Sequence, residues 1–356
     1  MPSDSNVPAS VTAWQYKRRG LLPATLTKNT SATLPQLKAD QVLVKVHAAA
    51  LNPVDWKLAA SVPGFLQKLP ATAGSDLAGE VVSVSPGPET SKKPWLKAGA
   101  HVYGFVPADK GLRTGLGSIS TYAVVDANVL ALKPESMSYE DAAGITLVGL
   151  TAAVLAEKIK KGDKVLILGA SSAVGLFLTQ MCKTEGAAKV VATASGEKCD
   201  FVKQRGVDEV IDYRATDADK EFKLRYASDP FDLILDCVGT TSTFFASPSF
   251  LKKDGVYYNI GASVLDGSNL FSSSMAFAKD VVRALFWPSW LGGTPRKYVM
   301  TGLRHDLMPR LEQYVARGDI TPKVDSVFGF DEAPKAYEHL LKGRALGKVV
   351  VKVIDA

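Results

Sequence analysis

The 356-residue chain carries 46% hydrophobic and 22% charged residues, a composition typical of folded globular proteins that excludes disordered and collagen-like chains. Its length predicts two domains, and its net charge of +6 is too dilute to indicate a nucleic-acid-binding protein. Its three cysteines, Cys182, Cys199 and Cys237, can form neither a disulfide framework nor a four-cysteine zinc site.

The first third of the chain contains short apolar runs separated by prolines and glycines. Alternating or β-branched residues predict strands at 42–46, 79–84, 101–105 and 120–125. Such runs between turn residues are typical of an irregular β-barrel or sandwich. We therefore predict a β-rich N-terminal domain.

From about residue 140, apolar runs alternate with helical segments. The predicted strands are 164–168, 189–193, 209–212, 231–236 and 255–260. Strands that alternate with helices in this way are typical of parallel βαβ units, so this part is predicted to be an α/β fold with a doubly wound parallel sheet.

The C-terminal part breaks the alternation. Residues 270–290 are predicted to be mostly helical, 333–341 to form a helix and 348–353 to form a strand. A final strand after the α/β unit indicates that the chain returns to its first domain. We predict one domain from residues 1–140 and 291–356, and an inserted domain from residues 141–290.

A turn rich in small residues follows the first α/β strand and precedes a helix. Its sequence is Gly169-Ala170-Ser171-Ser172-Ala173-Val174-Gly175. Small residues let the backbone approach a pyrophosphate, whose charge is stabilised by the N–H groups at the helix N-terminus. The turn departs from the strict G-x-G-x-x-G pattern, and the alternative is a tight β–α turn that needs small residues for packing alone.

The end of the next strand favours NADPH over NADH. An NAD site usually places Asp or Glu there, whereas this strand ends in Thr193-Ala194-Ser195-Gly196. Ser195 can donate a hydrogen bond and Lys198 can neutralise a 2′-phosphate. The alternative for Lys198 is an ordinary surface lysine.

Five further motifs, together with the turn, resemble the zinc-free branch of the medium-chain dehydrogenase/reductase superfamily, in particular its quinone oxidoreductase-like and enoyl reductase-like members. These motifs are Asn52-Pro53-Val54-Asp55-Trp56-Lys57, Gly74-Ser75-Asp76-Leu77-Ala78-Gly79-Glu80-Val81, Gly149-Leu150-Thr151-Ala152, Asp236-Cys237-Val238-Gly239 and Gly347-Lys348-Val349-Val350. The resemblance covers nearly the whole chain.

The resemblance implies a GroES-like catalytic domain split around a Rossmann domain, with the active site between them and NADPH as the cofactor. It adds Tyr213 beside Lys198 at the 2′-phosphate, and places Thr151 and Gly261 near the nicotinamide. The predicted cofactor-binding residues are Thr151, Gly169, Ser171, Ser172, Ala173, Val174, Gly175, Ser195, Lys198, Tyr213, Val238 and Gly261. Ser172 and Ala173 stand where family members often have two glycines, which implies a reshaped turn.

The resemblance also predicts that the protein binds no metal. Zinc-dependent alcohol dehydrogenases of the superfamily have Gly-His-Glu where this chain has Gly74-Ser75-Asp76, and a cysteine ligand in the region of Asn52. The four histidines of the chain do not pair at a metal-ligand spacing. Polarising an alcohol or a simple ketone without a Lewis acid is difficult, so metal-assisted alcohol oxidation is not expected.

A metal-free hydride-transfer site suits substrates that are already electrophilic, namely quinones, enones and enoyl thioesters. The enzyme must position the reactants and offer hydrogen-bond donors to the developing enolate. Asn52 and Lys57 are the predicted catalytic residues, because the matching segment borders the nicotinamide in the family. The alternative for Asn52-Pro53 is a strand-ending turn. Tyr103 is either a proton donor or a packed aromatic residue, and Cys237 is predicted to be a small buried residue.

The predicted activity is an NADPH-dependent reduction of quinones or activated carbon–carbon double bonds. Two alternatives are a trans-acting enoyl reductase that serves a polyketide synthase through a carrier protein, and an NADPH-binding regulatory protein without turnover. The aromatic segment 286–293 is interpreted as a pocket wall, a subunit contact or a lipid-contacting patch. We expect a cytoplasmic homodimer without a membrane span, because the sequence has no secretory signal and its longest nearly apolar run, 142–156, is shorter than the ~20 residues that cross a bilayer.

Overall fold

A computed structural model describes residues 10–261, 270–288, 291 and 293–354 of the chain. The strands are β1 (Val11–Tyr16), β2 (Leu26–Ala32), β3 (Gln41–Ala50), β4 (Ala71–Thr72), β5 (Asp76–Val84), β6 (His101–Phe105), β7 (Tyr122–Asp126), β8 (Leu130–Leu132), β9 (Lys164–Leu168), β10 (Lys189–Ala194), β11 (Glu209–Asp212), β12 (Phe231–Asp236), β13 (Leu251–Asn259), β14 (Lys297–Met300), β15 (Val324–Gly329) and β16 (Lys348–Lys352). The helices are α1 (Leu22–Thr25), α2 (Pro53–Ser61), α3 (Pro88–Ser91), α4 (Ala108–Thr114), α5 (Tyr139–Ala143), α6 (Thr146–Ala156), α7 (Ala173–Thr184), α8 (Lys198–Gln204), α9 (Ala218–Tyr226), α10 (Thr241–Ala246), α11 (Leu270–Phe286), α12 (Met308–Ala316) and α13 (Ala333–Leu341).

The chain divides into two units, which we call the split unit (residues 1–147 and 322–356) and the inserted unit (residues 148–321). The split unit contains a three-stranded sheet in the order β2-β1-β4 and a larger sheet in the order β15-β16-β3-β5-β6-β8, with β7 also paired to β3. Apart from the parallel pair β15–β16, the paired strands of this unit run antiparallel. This is the β-rich, GroES-like domain that the sequence predicts.

The inserted unit is a six-stranded parallel sheet in the order β11-β10-β9-β12-β13-β14. Its central strand β9 is buried along its whole length, as expected for a parallel strand covered on both faces. Aromatic residues such as Phe222, Phe231 and Tyr257 fill the core beside the sheet. The doubly wound, Rossmann-like sheet predicted from the strand–helix alternation is therefore present.

The boundaries of the two units differ from those predicted. The inserted unit ends at residue 321 rather than 290, because β14 lies parallel to β13 and extends the sheet, and α12 also belongs to this unit. Strand β14 was not predicted, because it follows the segment in which the strand–helix alternation breaks. The return to the split unit is nevertheless as predicted, because β16 pairs with β3.

Helix α11 ends at Phe286, four residues before the predicted helical end. Phe286 and Trp287 expose 75% and 51% of their surface, whereas Trp290 of the same predicted segment lies outside the described residues. No helix in the described ranges combines the length and apolarity needed to cross a bilayer.

Candidate active site

The turn between β9 and α7 has the geometry of an anion-binding helix N-terminus. Gly169 has φ +77°, a conformation that favours glycine, and the side chain of Ser172 caps α7 by accepting a hydrogen bond from the N–H of Gly175 at 3.0 Å. A Cβ at Gly175 would lie 2.6 Å from Cα of Ala170, so the helix packs directly on the turn. Ser171 and the N-cap Ser172 thus lead into a 12-residue helix that begins with Ala173 and Val174 and whose first N–H groups favour a phosphate.

The carboxyl ends of β9, β12 and β13 bring three predicted cofactor residues together. A Cβ at Gly169 would collide with the side chain of Val238, and one at Gly261 would lie 2.5 Å from the backbone nitrogens of Val238 and Gly239. The buried carboxylate of Asp236 holds the Val238 loop by accepting hydrogen bonds from the N–H groups of Val238 and Gly239 at 2.8 Å. The inserted unit therefore provides a backbone surface with little room for side chains, as a dinucleotide site requires.

The predicted 2′-phosphate residues follow the neighbouring strands β10 and β11. Ser195 comes directly after β10 and is buried, and Lys198 begins α8. Tyr213 comes directly after β11, is half exposed, and donates its N–H to the carbonyl of Ala194 at 3.2 Å. The strands pair in parallel with Ala194 opposite Asp212, so Ser195 and Tyr213 lie at the same edge of the sheet.

Thr151 lies in the inserted unit, near the middle of α6, and is 9% exposed. Its helix is almost entirely apolar, so its hydroxyl is one of few polar groups there. Its place near the nicotinamide stays a prediction.

In the split unit, the two predicted catalytic residues have different environments. Asn52 is fully buried, and its side chain is bound inside the protein: Nδ2 donates to Asp76 Oδ2 at 2.9 Å, and Oδ1 accepts from Lys348 Nζ at 2.6 Å. Asn52 stays a predicted catalytic residue, and one contact of its amide is with Asp76. Asn52 follows β3 and is the N-cap of α2, which is the position expected for the alternative, a strand-ending turn.

Lys348 and Asp76 complete a buried polar cluster around Asn52. The two side chains are 3% and 0% exposed, and Lys348 Nζ lies 3.1 Å from Asp76 Oδ2. The other carboxylate oxygen of Asp76 accepts the N–H of Leu147 at 2.9 Å. Burial raises the pKa of Asp76, and the charge of Lys348 and the hydrogen bond from Asn52 oppose that rise.

Asp55 occupies the third position of α2 and is attached to the same cluster. One carboxylate oxygen accepts the hydroxyl of Ser75, and the other accepts the N–H of Asn52 at 2.8 Å and the hydroxyl of Tyr337 at 3.3 Å. Burial raises the pKa of Asp55 to about 6, although the bonds from Ser75 and Asn52 favour its charged form. The carboxyl borders a cavity of about 40 Å³ that is also lined by Tyr16 and Ser75.

Lys57 lies two residues further along α2. Burial lowers the pKa of its ammonium group to about 8, and Nζ lies 5.6 Å from the centroid of the Trp56 ring. An ammonium group with a pKa near 8 is mostly charged at neutral pH and is still able to release its proton, which is the property of an efficient general acid. Lys57 therefore keeps its predicted role as a candidate.

Asp55, Asp76 and Lys348 were not among the predicted site residues. Asp76 and Lys348 are the first residues of the largely apolar strands β5 and β16, and a charged residue at the start of a buried strand is the signal that could have indicated a buried partner. Of the two further residues considered, Tyr103 is buried in β6 and Cys237 is buried after β12, where burial raises the pKa of its thiol.

The split-unit cluster does not fit a zinc ion. Asn52, Ser75 and Asp76 offer an amide, a hydroxyl and a carboxylate, and that carboxylate is already paired with an ammonium group. Structural and catalytic zinc sites use thiolate and imidazole ligands for the most part. Across the described ranges, no group of three His, Cys, Asp or Glu residues is placed to share a metal ion.

Comparisons with known proteins agree with this architecture. A family model described as "Alcohol dehydrogenase GroES-like domain" matches residues 38–135, and one described as "Zinc-binding dehydrogenase" matches residues 205–351. The "Trans-enoyl reductase pgmF" of Aspergillus terreus is 34% identical, with 98% of each chain covered. The "NADPH-dependent alkenal/one oxidoreductase, chloroplastic" of Arabidopsis thaliana is 30% identical, with 98% of this chain and 81% of that protein covered.

Among solved structures, the quinone oxidoreductase from Coxiella burnetii superimposes with a TM-score of 0.75 at 25% identity, covering 97% of this chain and 99% of that one. In the inserted unit, the turn between β9 and α7 contains Gly169 and Gly175, and this turn and the N-terminus of α7 fit a nicotinamide dinucleotide. The chain is therefore a member of the medium-chain dehydrogenase/reductase superfamily and, within it, a reductase that uses a nicotinamide cofactor.

Proposed function

We propose that the protein is an NADPH-dependent, metal-free reductase that transfers hydride to activated carbon–carbon double bonds, such as those of enones and enoyl thioesters, or to quinones. The observation that carries this proposal is the buried cluster of Asn52, Asp76 and Lys348. Asn52 and Asp76 lie in the segments where zinc-dependent members have metal ligands, and here they bind each other and the ammonium group of Lys348. Without a Lewis acid, the acceptor must itself be electrophilic.

Lys57 is the proposed proton donor. When bound, a nicotinamide dinucleotide would supply the hydride that adds to the β-carbon of the acceptor and leaves negative charge on its carbonyl oxygen. The Lys57 ammonium group, with its pKa of about 8, stabilises that charge and gives one proton to the enolate, at the α-carbon or the oxygen. Lys57 is then a neutral amine that takes a proton back from water.

The proposal of NADPH rests on the edge of the sheet formed by the ends of β10 and β11. Strand β10 ends without the carboxylate that binds a ribose 2′-hydroxyl in NAD sites, and Ser195 and Lys198 follow instead. Tyr213 stands after the adjacent strand with half of its surface exposed. A lysine and two hydroxyl groups at one edge are suited to a phosphate dianion. The relative from Arabidopsis thaliana carries NADPH dependence in its name.

A second candidate is favoured by the relative from Aspergillus terreus. That trans-enoyl reductase is 34% identical to this chain and matches it over 98% of both lengths. On this proposal the enoyl thioester is carried by a partner protein, and the reductase acts on that carrier-bound chain.

The test is NADPH consumption by the purified protein with three acceptors in parallel: an ortho-quinone, a simple enone and an enoyl thioester. NADH is run beside NADPH for each acceptor. Turnover with the enone or quinone supports a general reductase, and turnover confined to the thioester supports the carrier-dependent enzyme. Bound NADPH without turnover on any acceptor would contradict the proposal and favour a regulatory protein.

A further inference from the structure

A closed ring of polar contacts joins three distant segments of the split unit. Lys348 is 296 residues from Asn52 and 272 residues from Asp76, yet its Nζ is within hydrogen-bond distance of both. Asn52 and Asp76 are bonded to each other, so each member contacts the other two. The ring therefore connects the start of β16, the start of β5 and the residue before α2.

A buried ring of this kind has a large effect on its neighbours because the charges cannot be screened by water. Removal of one member of a buried ion pair leaves the other charge without compensation. In this chain the ammonium of Lys348 is the cation next to Asp76, with both side chains almost fully buried. The position of the Lys348 ammonium group is therefore coupled to the positions of Asn52 and Asp76.

The ring also determines where α2 begins. Asn52 is the N-cap of that helix, Pro53 occupies its first position, and the carboxylate of Asp55 accepts the N–H of Asn52 at 2.8 Å. These contacts fix the first helical turn against the ring. Lys57 follows Asp55 by two residues in the same helix, so its place depends on that turn.

We propose that Lys348 is a positioning residue for the reduction: its buried ammonium group, bound between Asn52 and Asp76, holds the first turn of α2 and thereby the proton donor Lys57. The inference rests on the proposed function in so far as Lys57 donates the proton. The buried ammonium group of Lys348 then supplies the positive charge beside Asp76.

The experiment compares the single variant Lys348→Met with the double variant Asp76→Asn/Lys348→Met, which removes both charges of the pair. The single variant leaves Asp76 unpaired and is expected to lose thermal stability. The double variant is expected to fold and to bind NADPH with unchanged affinity, because the dinucleotide site lies in the inserted unit. Lys342→Met, at an exposed lysine of the same C-terminal segment, is the matched control.

Two readouts separate positioning from a general structural role. In the folded double variant, amide hydrogens of residues 52–61 should exchange at least about 10-fold faster, whereas exchange in the inserted unit stays unchanged. With an acceptor that the wild type reduces, kcat should fall at least about 10-fold and its solvent isotope effect should rise, because proton transfer becomes slower. The control variant should match the wild type in both measurements.

Wild-type exchange over residues 52–61, together with wild-type kcat and isotope effect in the double variant, would overturn the inference. If the double variant does not fold, the single variant Lys348→Arg is measured instead. Wild-type kcat and wild-type hydrogen exchange in Lys348→Arg would support a positioning role for the cation. A loss of kcat with unchanged hydrogen exchange would contradict that role. If the wild type reduces no acceptor, the proposed function fails while the exchange measurement still tests the role of Lys348.

Discussion

The two units build their candidate sites in different ways. In the inserted unit the site consists of backbone: glycines at Gly169, Gly175 and Gly261, and the N-terminus of α7. In the split unit it consists of side chains, such as Asn52 and Lys348, that meet from distant parts of the sequence. The first kind of site tolerates almost no added atoms, whereas the second depends on the balance of buried charges. The two kinds should respond differently to substitution.

The largest expected effect tests the backbone site. Gly261→Ala places a Cβ 2.5 Å from the backbone nitrogens of Val238 and Gly239, so that the loop must move. We expect NADPH affinity to fall about 100-fold, equivalent to ~2.7 kcal/mol. The measurement is a fluorescence titration with NADPH. The control is Gly302→Ala, where a Cβ meets no atom within 4 Å; equal affinity of the two variants would refute the close approach.

The next effect tests the side-chain site. Lys57→Met removes the proposed proton donor and should lower kcat by about 10² to 10³ while NADPH affinity stays unchanged. Because the group must be protonated to act, wild-type kcat should fall as the pH rises through about 8, and this limb should be absent in the variant. A pH–rate profile checks both points. A variant with wild-type kcat would remove Lys57 from the mechanism.

Removal of Lys57 also separates catalysis from stability. Folding lowers the pKa of this group from 10.5 to about 8, so the unfolded chain binds more protons between those values and stability rises with pH there. Replacement by methionine removes the cost of burying the charge at pH 7. Thermal unfolding should therefore show no loss of Tm in the variant that loses activity.

The contrast between the units explains how much the sequence could predict. The turn at Gly169, the alternation of strands and helices, and Ser195 at the end of a strand follow from local patterns of consecutive residues, whereas Tyr213 was implied only by the family resemblance. Strand β14 has the same length as the predicted strand β11, but it was not predicted because it lies after the break in the strand–helix alternation.

The cluster in the split unit could not be predicted for a different reason. Asp76 and Lys348 are 272 residues apart, and no pattern of spacing indicates that they meet. For the same reason, the contact between the amide of Asn52 and Asp76 was not predicted. Lys57 was predicted as a catalytic residue from the family resemblance, and the lowering of its pKa arises from burial that only the fold provides.

A smaller effect tests the specificity of the backbone site. Lys198→Ala should weaken NADPH by about 10-fold, the loss of one charge-assisted hydrogen bond, and leave NADH affinity unchanged. The control is Lys203→Ala, an exposed lysine in the last turn of the same helix. Titrations with both dinucleotides measure the ratio. Equal losses for NADPH and NADH would contradict the assignment of Lys198 to the 2′-phosphate.

The smallest effect concerns the charge balance of the split unit. Folding raises the pKa of Asp55 from 3.8 to about 6, so the folded state binds more protons between those values and stability falls as the pH rises from about 4 to about 6. Asp55→Asn should remove that slope from the dependence of Tm on pH, and it should not lower Tm at pH 7.5. The control is Asp254→Asn, at an exposed carboxylate of the inserted unit. An unchanged slope would show that Asp55 is not the titrating group.

The most direct test of the central claim combines metal analysis with turnover. The purified protein is treated with a chelator, its zinc content is measured, and NADPH oxidation is followed with the acceptor that the untreated protein reduces best. We expect full kcat with far less than one zinc ion per chain, because Asn52, Asp76 and Lys348 saturate one another. Activity that disappears with the chelator and returns with added zinc would contradict the metal-free mechanism.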